Sequence, residues 1–505
     1  MSAPPIAAVG GGLSADNSAA TSGARAQGPR GQHDSRRANT SAATSSKLAD
    51  GLGALFGPWG FELRSALAIA CVLAGLALVV LDAVIANVAL PAIALSLHAT
   101  PAAAVGVVTS YQMALVMTLL PCAAIAERFG YRRVYTAGVA LFVGASAACA
   151  AAPSLELLIA ARFIQGLGGA AIMALSVALL RRIVPQRQLG AAIGWNTLTV
   201  ALSSAAGPTL GALVLSRSSW PWLFALNLPL GALVLVATRA LPPIRGSTRE
   251  LDALSIALNA TAFAALIAGA ELLPTRPAPA ACAFIAGVFA MLVLVRRELP
   301  KPAPIIPLDL LRQTPFRISV IASVCCFIGQ SAALVALPFY LQHAFGLDVL
   351  HTGLLMTPWP LTVALIAPWA GRLADRISGA WLCALGGTLL ALGLASLALW
   401  PLHADALVLI APLMVCGAGF GFFQVANNRN LFLSAAPERS AAAGGMQSTA
   451  RLTGQALGAV IMTLLFTLLP IDLAPSIGLG LGAALTLCAG LVSTLRAELS
   501  MRAKS

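Results

Sequence analysis

Ala126-Glu127-Arg128-Phe129-Gly130-Tyr131-Arg132-Arg133 is a short charged break between two long apolar runs, and Gly371-Arg372-Leu373-Ala374-Asp375-Arg376 repeats its pattern in the second half of the chain. Around them the chain alternates apolar stretches of about 20 residues, the length that crosses a bilayer as a helix, with short polar breaks. Fourteen such stretches fall at about 65–90, 102–125, 134–151, 155–179, 189–214, 221–240, 252–273, 279–296, 315–343, 350–371, 380–400, 405–427, 442–469 and 475–495. Each charged repeat follows the second helix of a set of six. The pair therefore marks two related six-helix halves with the seventh and eighth helices between them.

The composition agrees. Of 505 residues, 59% are hydrophobic and 10% charged, against roughly a quarter charged in soluble domains. The expected organisation is a basic, disordered tail over 1–60, a six-helix bundle over 61–242, two linker helices over 243–300, a second bundle over 301–497 and a short tail over 498–505. The fold class is all-α integral membrane.

Charge placement sets the orientation. Of 31 Lys and Arg residues, 27 fall in the tails and in alternate breaks on one side, and the opposite breaks hold only Arg217 and Arg276. Basic loops stay in the cytoplasm, so both termini are expected there and the number of helices is even. The net charge of +13 is thus a topology signal rather than a nucleic-acid footprint.

Several chemistries find no residues to carry them. The nine cysteines lie inside apolar runs without metal-ligand spacing and read as small core residues. The five histidines lie in the tail or near external helix ends, no phosphate-binding loop is present, and no metal or enzyme signature appears. No cofactor is expected, and ATP is not the energy source.

One acidic residue stands out. Asp82 lies well inside an apolar stretch, whereas the other 17 acids occupy tails, breaks or helix ends. A carboxylate at bilayer depth costs about 2.5–3.5 kcal/mol on insertion scales and marks an ion or proton pathway, or a structural pair. Depth arithmetic supplies a partner. Asp82 is about 25 Å from the cytoplasmic start of its helix, and Arg162 is about 10 Å below the external start of the fourth, so the two share a level. Pairing and desolvation pull the protonation of Asp82 in opposite senses, which suits a group that changes state when its access changes. Arg451, in the thirteenth helix, has no acid in its half to pair with, leaving a structural bond to backbone carbonyls and a coupling or anion-contacting role both open.

Leu81-Asp82-Ala83-Val84-Ile85-Ala86-Asn87-Val88-Ala89-Leu90-Pro91 resembles the first-helix motif of the fourteen-span drug:proton antiporters of the major facilitator superfamily. The two charged breaks are similar to that superfamily's G-x-L-A-D-R-x-G-R-R/K loop, with Glu127 in place of Asp in the first copy. Arg162-Phe163-Ile164-Gln165-Gly166 resembles the fourth-helix R-x-x-Q-G motif, and Ser203 through Ala212, with Gly207-Pro208 and Gly211, resembles the fifth-helix antiporter motif. Trp220-Pro221-Trp222 with Asn227-Leu228-Pro229-Leu230-Gly231 looks like the W-R-W…N-x-P-x-G hairpin, and Arg451-Leu452-Thr453-Gly454 like the R-x-x-G of the thirteenth helix.

The resemblance implies a multi-pass protein of the inner membrane that exports small amphipathic compounds against protons by alternating access. Asp82 carries the proton and Arg162 modulates its release. Glu127, Arg128, Gly130, Arg132, Arg133, Gly371, Asp375 and Arg376 form a conformational latch, and Gly207, Pro208 and Gly211 pack or bend the fifth helix. Asn87, Tyr111, Gln112, Gln165, Gln330, Tyr340, Gln424 and Asn427 are candidates to line a substrate cavity, although each also suits an interhelical hydrogen bond. A mostly apolar interior with one buried acid favours amphipathic, cationic compounds over sugars or phosphates. A periplasmic adaptor and outer-membrane channel are partners that the sequence does not show. Uptake or export of a metabolite or lipid-like substrate, and a non-transporting sensor or assembly protein, are the competing readings.

Overall fold

Backbone polar groups in hydrocarbon must bond to each other, and a helix achieves this within one segment. In the computed structural model each of the fourteen apolar segments is a helix. The structure describes residues 63–185, 188–243, 252–301, 308–374, 376–400, 406–434 and 439–502, so the 1–60 tail lies outside the described residues. Fourteen described helices are long and apolar enough to cross a membrane. They are α1 (Leu63–Ser96), α2 (Pro101–Phe129), α3 (Tyr131–Ala150), α4 (Leu155–Ile183), α5 (Leu189–Leu215), α6 (Pro221–Ala240), α7 (Ala253–Leu272), α8 (Pro277–Glu298), α9 (Thr314–Phe339), α10 (Val349–Ala374), α11 (Gly379–Ala398), α12 (Ile410–Leu433), α13 (Ser440–Leu468) and α14 (Ala474–Arg502).

Local chemistry marks the ends. Thr100 and Ser154 accept from the backbone N–H of Ala103 and Leu157 at the starts of α2 and α4, and Pro101, Pro221 and Pro277 occupy first-turn positions that need no donor. Gly130 takes φ 98°, the left-handed region open to glycine, and turns the chain from α2 into α3. α10 breaks at Thr357, because Pro358 has no N–H for the ladder and the Thr357 N–H bonds Leu354 O instead.

The first six helices pack α2 and α3 on α4, and α3 on α6, while α11 packs on α12 and α14, α9 on α13 and α14, and α10 on α12. Two seams join these groups, α2 against α13 and α5 against α10. The second is tight. A Cβ on Gly353 of α10 would lie 2.2 Å from Ala212 Cβ and 2.6 Å from Pro208 O, and the Thr209 and Thr357 hydroxyls are 2.6 Å apart. This contact lies at the end opposite the basic turns.

The inserted pair α7 and α8 pack on each other, and α7 also lies against α2 and α13. Its far end is held by charge: Asp252 accepts from Arg297 and Lys301, and the fully enclosed Glu298 accepts from Ser255 Oγ at 2.6 Å and from Lys301. These bonds, with Arg297 foremost, hold the Asp252 carboxyl well below the usual carboxylate range. Most of the cysteines are small core residues, but Cys282 and Cys488 lie on exposed faces.

Candidate functional site

Five helices converge on Asp82. The Asp82 and Arg162 side chains are each 1% exposed, and Arg162 Nη1 lies 2.5 Å from Asp82 Oδ2. Two unpaired charges at this depth would each cost several kcal/mol, so the pair must be completed by polar neighbours. They are present. Gln165 Nε2 donates to Asp82 Oδ1 at 3.0 Å and to Ser146 Oγ at 2.8 Å, and Asn227 Nδ2 donates to the same Asp82 oxygen at 2.6 Å. Arg162 Nη1 also donates to Gln165 Oε1 at 2.5 Å, and its Nε to Val107 O at 3.2 Å.

The guanidinium is further clamped by aromatic faces. The Tyr111 ring centroid lies 4.1 Å from Arg162 Cζ and that of Phe224 5.4 Å away, within cation–π reach. Both carboxylate oxygens of Asp82 and the Nε and Nη1 of Arg162 are thus engaged by groups on α1, α2, α4 and α6, with Ser146 of α3 behind them. A proton arriving on Asp82 removes the charge that Arg162 answers, while Val107 O, Gln165 and the two rings still retain the guanidinium. The arrangement can therefore pass between a paired and an unpaired state without ejecting an ion into lipid.

The fifth-helix motif sits beside this cluster. A Cβ on Gly207 would lie 2.5 Å from Val84 Cγ1, two residues from Asp82, and Gly211 faces Ile85. One face of α5 is thereby pressed on α1 while Pro208 meets Gly353 of α10, so the motif links the charge cluster to the seam between the halves.

The expected cavity residues divide. Tyr111 and Gln165 are enclosed parts of the charge cluster. Tyr340 is sealed with its hydroxyl on Leu397 O at 2.9 Å, and Asn427 donates to Ser319 O and Ser323 Oγ. These four take the interhelical hydrogen bond of the two readings the sequence left open, each finding a partner on a neighbouring helix. Asn87 bonds back to Ala83 O. Gln112 and Gln330 each keep an enclosed carbonyl oxygen without a hydrogen bond, and Gln424 remains half-buried.

Of the residues expected to form a latch, Gly130 makes the turn, and Arg132 and Arg133 lie at the start of α3. Arg128 stands over the Phe129 ring, and Arg182 of α4 over Tyr131 at 4.4 Å. Glu127 lies in the last turn of α2. Gly371 faces open space and Arg376 is exposed, while Asp375 lies outside the described residues.

Sequence reasoning missed Ser146 and Asn227 as partners of Asp82, although both are polar residues in apolar helices. It also missed Glu271, the penultimate residue of α7, whose carboxylate accepts from the buried Thr109 hydroxyl of α2.

Comparison with known proteins places these features. The chain is 44% identical over 438 residues, 85% of its length and 95% of the relative's, to the uncharacterized transporter YebQ of Escherichia coli K12. It is 29% identical to the riboflavin transporter RibZ of Clostridioides difficile, over 76% of this chain and 85% of that one. It is 32% identical to the multidrug resistance protein Stp of Mycobacterium tuberculosis, over 77% and 73%. A crystal structure of a POT family transporter in complex with a thioalcohol-conjugated peptide shares the fold, with TM-score 0.67 and 14% identity over 88% of this chain and 97% of that one. The profile of the Major Facilitator Superfamily matches residues 72–459, and the chain belongs to that superfamily as one of its multi-pass membrane transporters.

Proposed function

We propose that this transporter is a proton-coupled efflux antiporter that exports amphipathic compounds across the cytoplasmic membrane by alternating access. The observation that carries the reading is the enclosed Asp82–Arg162 pair, a titratable group held at bilayer depth by neutral donors that stay in place when its charge changes. Protonation from one side weakens the pair, and substrate leaves as the proton enters; release to the other side restores it. The proton gradient is the energy source, with no resident cofactor. The basic turns face the cytoplasm, where positive loops are retained, so both termini are cytoplasmic. The likeness to a multidrug resistance protein supports efflux of drug-like molecules, and the likeness to a riboflavin transporter favours a second reading, movement of an aromatic metabolite.

The test is a reconstituted vesicle with a trapped pH indicator and a varied panel of dyes and biocides. Substrate addition dissipates an imposed proton gradient for wild type and not for Asp82→Asn. Substrate-driven proton movement that persists in Asp82→Asn overturns the reading.

A further inference from the structure

Arg451 is the second guanidinium at bilayer depth, and its surroundings differ from those of Arg162. It lies 11 residues from the start of α13, about 16 Å along the axis. Its Nε is enclosed and makes no hydrogen bond, and among the described residues no carboxylate or carbonyl pairs with its side chain. A cation in low dielectric without a counter-charge is one of the costliest arrangements a membrane protein can hold.

The helix face identifies what Arg451 looks toward. One turn nearer the basic end, Gln447 Nε2 donates to Asn428 Oδ1 of α12 at 3.1 Å. α12 and α13 are consecutive and antiparallel, so one turn outward from that bond brings Arg451 on α13 level with Gln424 on α12, both half-buried. On the flank of the same face Gly454 and Gly458 are pressed on α9, where added Cβ atoms would lie 2.7 Å from Phe327 Cβ and 2.4 Å from Ile328 O. Helix geometry therefore sets Arg451 on the face of α13 between α9 and α12, at the level of Gln424.

The acids of the membrane region are otherwise engaged. Asp82 belongs to Arg162. Glu271 is bonded by Thr109, and it lies a turn beyond Ile267, which packs on Ala456 and Val460 of α13. The nine residues from Arg451 to Val460 span about 13 Å along α13, beyond the reach of one side chain.

We infer that Arg451, with Gln424, is the anion subsite of the substrate cavity, and that the exported compound is an amphipathic weak acid whose carboxylate is the missing counter-charge. The inference rests on the transporter reading above and reverses the expectation of a cationic substrate. Arginine presents a planar fork to a carboxylate, and the Gln424 amide can add a donor beside it.

The experiment uses purified full-length protein without a proton gradient and two probes of one ring system, 1-pyrenebutyrate and pyrenebutyl-trimethylammonium, read by fluorescence anisotropy. Wild type binds the carboxylate probe more tightly than the ammonium probe by about tenfold or more. Arg451→Gln removes that preference by weakening the carboxylate probe and Arg451→Lys keeps part of it, while the ammonium probe binds Arg451→Gln no more weakly than wild type. Equal affinity of wild type for both probes, or an Arg451→Gln protein that retains the preference, overturns the inference. Should Arg451→Gln fail to fold, wild type alone decides: phenylglyoxal modification of Arg451, followed by peptide mass, is slowed by pyrenebutyrate and not by its ammonium counterpart. Modification that proceeds at one rate in all three conditions overturns it. Because no gradient is present, loss of proton coupling in vesicles leaves this result standing, and the converse also holds.

Discussion

In the first half of the molecule the buried carboxylate of Asp82 meets a guanidinium and two amides, and Ser146 anchors the amides in turn. The second half holds Arg451 without a carboxylate partner among the described residues, and its enclosed polar cluster, Asn427 on Ser319 and Ser323, is neutral. Two bundles marked by the same charged turn have thus come to opposite charge balances. One is self-contained, which suits a proton that must be held and released inside the protein. The other is a positive group short of its partner, which suits a charge supplied from outside. The two halves share a charged turn and differ in what they leave unpaired.

The largest effect that would break this comparison comes from the first half. Arg162→Gln leaves Asp82 buried and unanswered, and should cost about 3–5 kcal/mol in thermal unfolding. The double variant Asp82→Asn/Arg162→Gln should recover most of that loss while transport stays absent. A double variant no more stable than the single one means that the pair is not the energetic unit described.

Asn227→Ala comes next. It removes a charge-assisted donor from Asp82 Oδ1, with an expected loss of about 1.5–3 kcal/mol and a changed pH dependence of flux. An unaltered pH profile separates Asn227 from the proposed proton site. Gly353→Ala should cost about 1–3 kcal/mol, because its Cβ meets the Pro208 backbone rather than a movable side chain. A cysteine placed at Thr357 should become more accessible to a water-soluble maleimide in that variant. The smallest effect belongs to the linker clamp. Asp252→Asn should lower stability by under about 1 kcal/mol, as for exposed pairs. With the Asp252 carboxyl held below its usual range, the clamp is fully present above about pH 4 and is lost only as pH falls through the depressed value. Unfolding of wild type should therefore not change through this group between about pH 5 and 8.

Much of this architecture was legible in one sequence. Runs of apolar residues and the placement of 27 basic residues gave fourteen helices because lipid imposes length and loop charge directly. The level shared by Asp82 and Arg162 followed from a fixed rise per residue. What was not legible is rotation. Helices apolar on all sides carry little periodicity to show which face meets which neighbour, so the sequence left Tyr111 and Gln165 open between a cavity and an interhelical bond, and both lie enclosed around the ion pair. Asn227 read as a hairpin residue and lies on Asp82, because its partner is 145 positions away. Glu298 read as a helix-end acid and is enclosed by Ser255 and Lys301.

The α7–α8 hairpin has a consequence for traffic from the lipid. α7 lies along both α2 and α13, and α8 backs it, so that flank of the carrier has a double wall. The α5–α10 flank is a single wall, closed by Thr209 on Thr357 and Gly353 on Pro208. A solute dissolved in the membrane meets one shuttered window and one doorway that the inserted helices have bricked up.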